Sequence, residues 1–122
     1  LYDDSGSGES ELAKQWLNTL GIEELQQHYY HEISFGQQRM VLLARAMVKH
    51  PEILILDEPC VGLDDYHRRL ILQTLDLIAN KTDTNIIYVS HVQDEKPDCI
   101  NQKLSFVESE AGGFTLEQSA LH

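Results

Sequence analysis

Asp57 and Glu58 are adjacent carboxylates that follow four apolar residues, Ile53-Leu54-Ile55-Leu56, and precede Pro59. A short, continuous, partly β-branched run of this kind reads as a strand buried on both faces. Two carboxylates at the end of a buried strand are costly unless they serve a cation, a water or a phosphate. A second apolar run, Ile86-Ile87-Tyr88-Val89, reads as a second buried strand and also ends on polar residues, Ser90 and His91. Further upstream, Ser34-Phe35-Gly36-Gln37-Gln38 is a polar turn ahead of a helical stretch. A helix N-terminus presents unpaired N–H groups and the positive end of the helix dipole, so this turn can cradle a phosphate. Ser34 adds a hydroxyl donor, and Gly36 lets backbone approach closely.

These groups need elements to hold them. Met40, Leu43, Ala44, Met47 and Val48 recur at helical spacing, and His50-Pro51 stops that helix because the residue before proline is pushed out of the α region. A helix over residues 10–20 has Ser10 as N-cap and Gly21 just past its end, and a short one covers 23–28. Asp64 or Asp65 caps a helix over 66–80 that buries Leu70, Ile71, Thr74, Leu75 and Ile78. A short helix is expected beside Pro97. Strands over 103–108 and 114–117 close as a hairpin through Ala111-Gly112-Gly113. Strand, helix, strand with a helical crossover implies an α/β fold with a parallel sheet. In such sheets ligands bind at the C-terminal ends of the strands, where both polar pairs fall.

The bulk properties narrow the class. At 122 residues the chain is one domain in size, and its net charge of −11 argues against a non-specific nucleic-acid binder. No apolar run approaches the roughly 18 residues of a membrane helix, and no signal-peptide pattern opens the chain. Cys60 and Cys99 lie far apart, as in a reduced cytosolic protein. The opening Leu1-Tyr2, without methionine, suits a piece of something longer. Residues 1–10 read as a flexible polar segment. Their DDSGSGES invites comparison with a P-loop, but Glu9 stands where the lysine must be and Asp3 where the first glycine must be. His28 and His31 lack the partners that would complete a metal site.

Taken together, the motifs resemble the nucleotide-binding domain of ABC-type ATPases. Ile33-Ser34-Phe35-Gly36-Gln37 is similar to that family's LSGGQ signature, and Ile53 to Pro59 to its Walker B motif with the catalytic glutamate. Gly62-Leu63-Asp64 resembles the D-loop, and Ser90-His91 the switch histidine. Within the family the likeness runs toward the molybdate-transport and photorepair ATP-binding proteins.

The resemblance implies a partial P-loop NTPase fold, with residues 11–50 as part of the helical subdomain and 51–122 as the C-terminal part of the ATPase core. It implies ATP and Mg²⁺ as ligands of the complete protein. Asp57 would hold Mg²⁺, Glu58 would orient or deprotonate the attacking water, and His91 would contact the γ-phosphate. Ser34, Phe35, Gly36 and Gln37 would face ATP held by a second ABC ATPase domain, with Asp64 coupling the two sites. Phe35 departs from the family by replacing a signature glycine. The P-loop and its strand lie N-terminal in the family, so the chain reads as a C-terminal fragment that binds ATP weakly or not at all and is inactive alone. The open edge left on the second strand invites self-association or a rearrangement that covers it. The parent would hydrolyse ATP for molybdate or anion transport with a membrane subunit, in the cytoplasm or at the inner face of the membrane. The alternatives are a soluble ABC ATPase of DNA repair or translation, and a non-catalytic module supplying its signature in trans.

Overall fold

A capping box starts the helix that follows the Ser34 turn. The Ser34 hydroxyl accepts from the Gln37 amide at 3.2 Å, and the Gln37 side-chain oxygen accepts from the Ser34 amide at 3.0 Å. This reciprocal pair satisfies two donors that a helix end otherwise leaves without partners. In the computed structural model, which describes residues 7–121, the helix runs Phe35–Val48 and is α2. It follows α1 (Ser7–Thr19) and two 3₁₀ turns, Glu23–Gln27 and Tyr30–Glu32. Then come β1 (Ile53–Asp57), α3 (Asp65–Lys81), β2 (Asn85–Val89), β3 (Gln102–Glu108) and β4 (Phe114–Ala120).

The fold is mixed α/β. β1 and β2 pair in parallel, Ile53 opposite Asn85 through Asp57 opposite Val89, with α3 as the crossover between them. Thr84 Oγ1 donates to the Pro51 carbonyl at 2.7 Å, which ties the two strand entrances together. Met40, Leu43, Ala44 and Met47 of α2 and Ile71, Leu75 and Ile78 of α3 form one buried cluster with Leu54 and Leu56 of β1. Trp16 and Leu17 of α1 pack against it, half-buried. Leu75 and Ile78 are fully enclosed, and each contributes roughly 1.5–3 kcal/mol of apolar burial.

Four sequence expectations change. β1 is not buried on both faces: Leu54 and Leu56 point into the core, whereas Ile53 and Ile55 are 54% and 66% exposed. Both α2 and α3 pack on one side, and no described residue covers the other. β2 is likewise only half-buried, with Ile86 and Tyr88 inward and Ile87 and Val89 exposed. Helix α1 already starts at Ser7, within the segment expected to be flexible, so Ser10 lies inside it; residues 1–6 fall outside the described part. The helix expected beside Pro97 is absent. The Asp76 carboxylate captures the amides of Asp98 and Cys99 at 3.2 and 2.7 Å, holding an irregular segment against α3.

β3 and β4 form an antiparallel hairpin through Gly112 and Gly113, both at positive φ, where a side chain would be strained. Phe106 faces Leu116, and Glu108 faces Phe114. Leu104, Phe106, Phe114 and Leu116 therefore share one face, each more than half exposed.

Candidate functional site

β1 and β2 end side by side, and this places Glu58 against His91. Glu58 leaves the strand with φ of 50°, a left-handed conformation unusual for a residue with a side chain. Its amide nevertheless donates to the last carbonyl of β2, Val89, at 2.8 Å. Its Oε1 accepts from the His91 amide at 2.9 Å and lies 3.4 Å from His91 Nε2. The imidazole is otherwise open to solvent. Asp57 is exposed at the end of the same strand. Among the described residues no three His, Cys, Asp or Glu side chains converge on a metal position.

At the start of α2, Ser34 and Phe35 are exposed and Gly36 is buried. Gln37 donates its amide to Ser34 Oγ, and Gln38 donates its own to the Ser34 carbonyl at 2.8 Å. Of the first helical amides, those of Phe35 and Gly36 remain without an intrahelical acceptor. Two adjacent N–H groups and a serine hydroxyl at a helix N-terminus can bind an anion. The Gln37 side chain is committed to the cap. Phe35 is an ordinary first-turn residue with its ring 73% exposed, so the left-handed freedom of a glycine is not required there.

Gly36 is needed for another reason. A Cβ on it would lie 2.2 Å from Cδ2 of His67. His67 sits in the first turn of α3 and is held by Asp64, whose Oδ1 accepts from the His67 amide at 2.8 Å and lies 2.9 Å from Nδ1. The bond from the His67 amide, then that with its ring, holds the Asp64 carboxyl below the usual carboxylate range. Asp64 thus caps α3 while its partner His67 presses on the Ser34 turn.

Arg39, which the sequence reading passed over, lies one turn beyond that glycine. Its Nη1 donates to the carbonyls of Pro59 and of Glu58, the latter at 3.4 Å, and its Nη2 donates to the Val61 carbonyl at 3.2 Å. The guanidinium is therefore spent on the turn that follows β1. A cleft of about 320 Å³ opens beside it, floored by Leu43, Leu54 and Ile71 with Asp57 at its rim. That lining is too apolar for phosphate. The only hint of Arg39 in the sequence is its position flanking the buried stripe of α2.

The structure therefore joins Glu58 to His91 and, through His67, Asp64 to Gly36. It makes no direct hydrogen bond between the Ser34 turn and the Glu58–His91 pair; Arg39 bridges α2 to the Glu58 backbone.

The residue pattern of the ABC transporter family matches residues 3–61. The ABC transporter ATP-binding protein ModF of Escherichia coli (strain K12) is 41% identical over 108 residues, covering 88% of this chain and 22% of ModF. The chain belongs to the ABC-type ATPase family. Another ABC transporter ATP-binding protein, YlmA of Bacillus subtilis (strain 168), is 36% identical over 93% of the chain and 43% of YlmA. The molybdenum import ATP-binding protein ModC of Albidiferax ferrireducens is 37% identical over 70% of the chain and 24% of ModC. Among solved structures, cbiO1 from Clostridium perfringens, part of the ABC transporter complex cbiONQ, superposes with a TM-score of 0.69 at 32% identity, over 76% of this chain and 37% of that one. The ADP conformation of an ATP-binding cassette of an ABC transporter superposes with a TM-score of 0.71 at 24% identity, over 83% of this chain and 39% of that one, a likeness of fold. The chain spans under half the length of these relatives. No helix among the described residues is long and apolar enough to cross a membrane.

Proposed function

We propose that this chain supplies the hydrolytic carboxylate, the switch histidine and the signature turn of an ATP-hydrolysing ABC protein. The contact of Glu58 Oε1 with both the amide and the ring of His91, across 33 positions of sequence, carries the reading. Both contacts use Oε1, so Oε2 is left to accept from a water. A carboxylate so placed can orient that water and take its proton as it attacks a terminal phosphate. The exposed His91 ring is positioned to donate to the phosphate oxygens. Asp57 is the carboxylate for Mg²⁺, which takes one or two protein carboxylates and completes its shell with phosphate and water. That donor set fits a lone exposed Asp at a strand end. Bound there, Mg²⁺ supplies charge neutralisation at the phosphates.

Ser34 and the amides of Phe35 and Gly36 form a separate anion cradle, for ATP held by a second ATPase domain. Asp64, tied to that cradle through His67, faces the same domain. The likeness to ModF and the molybdenum import named in ModC favour an oxyanion such as molybdate as cargo, with a membrane subunit as partner and a place at the inner face of the membrane.

The test is ATP turnover by the complete protein containing this chain. Glu58→Gln is expected to lower kcat by about 10²–10⁴-fold, the contribution of a positioned general base, with ATP binding retained. Unchanged turnover sinks the assignment of Glu58.

A further inference from the structure

We infer that Arg39 is a positioning residue for Glu58, joining the signature helix to the hydrolytic carboxylate on the same chain. The inference rests on the reading of Glu58 above. Three carbonyls, those of Glu58, Pro59 and Val61, converge on one guanidinium that reaches across from α2. Successive carbonyls of a turn repel one another when they point the same way, and a planar fork of donors is the side chain that neutralises them together. Glu58 itself sits at φ of 50°, a conformation that persists only where the surroundings over-determine it. Its surroundings are few. The Glu58 amide is held by Val89, its carboxylate touches His91, its carbonyl accepts from the Val61 amide at 3.3 Å and from Arg39 at 3.4 Å, and Arg39 alone adds the carbonyls of Pro59 and Val61.

Arg39 has no contact with the reacting atoms; it fixes the backbone from which the Glu58 carboxylate projects. Its other attachment is to α2, whose first residues form the anion cradle three positions earlier. Rotation or translation of α2 on engaging a phosphate at Phe35 and Gly36 is transmitted through this guanidinium to the peptide after Glu58. Occupancy of the cradle by one nucleotide thereby sets the aim of the carboxylate that acts on another. The element involved is short and direct: one turn of helix and one side chain.

Arg39→Lys tests this, because lysine keeps the charge and stem, and so the packing, but cannot span three carbonyls. In the complete protein Arg39→Lys is expected to lower kcat about 10-fold or more with KM for ATP within about two-fold, the signature of a loss confined to the transition state. In a Glu58→Gln background the same substitution is expected to change kcat by less than two-fold, since the group it aims is already disabled. In this 122-residue chain the amide resonances of Glu58, of residues 60–63 and of His91 are expected to shift, with those of residues 70–80 unmoved. A wild-type kcat in Arg39→Lys overturns the inference. So does a full 10-fold loss persisting on top of Glu58→Gln, or a rise in KM alone. Failure of the underlying reading looks different: Glu58→Gln itself then leaves turnover unchanged.

Discussion

Adding one methyl group at Gly36 would put a carbon 2.2 Å from the ring of His67, well inside any contact distance. Alanine gains up to about 1 kcal/mol of helix propensity over glycine, whereas overpacking costs about 1–3 kcal/mol, so the clash wins. Gly36→Ala is expected to destabilise the chain in urea unfolding, and His67→Ala added to it to restore part of the loss. If Gly36→Ala is as stable as the wild type, the contact is not what selects glycine. The sequence announces a glycine in this turn but not its reason, since the ring that excludes a side chain lies 31 positions away. Arg39 is equally silent, because backbone carbonyls leave no mark in a sequence. Asp64 was legible as one of two candidate caps, since capping acts within three residues and has its own residue types, whereas the Ser34–Gln37 capping box stood in a turn read for phosphate binding.

At the scale of elements, β1 shows what periodicity can and cannot reveal. A run of four apolar residues signals a strand without saying how many of its faces are covered. Leu54 and Leu56 are inside, and Ile53 and Ile55 are outside. Leu54→Ala is therefore expected to cost about 2–5 kcal/mol, and Ile55→Ala to stay within about 0.5 kcal/mol, measured by denaturant midpoint. Equal costs would mean that both faces are packed. The parallel pairing with β2 was legible from the strand–helix–strand order. The irregular segment after β2 was not, because Asp76 on α3 supplies its hydrogen bonds from more than 20 positions upstream.

At the scale of the whole molecule, two sheet faces leave apolar surface uncovered among the described residues: the Ile53–Ile55 and Ile87–Val89 face of the parallel pair, and the Phe106–Leu116 face of the hairpin. Each strand of the parallel pair also keeps one edge unpaired among the described residues. Exposed strand edges with apolar neighbours recruit other strands. The net charge of −11 opposes this through self-repulsion, a long-range force that salt screens. The isolated chain is expected to self-associate, more so at high salt, with Ile55→Lys plus Ile87→Lys reducing it; light scattering showing a monomer at all salt concentrations would count against this. Trp16 gives the same molecule a spectroscopic handle. It is the one indole in the chain, and it sits half in the shade of the core, on the helix that packs against α2. Its emission colour therefore reads the seating of that first helix alone, and a red shift dates its departure independently of the far-ultraviolet signal from the rest.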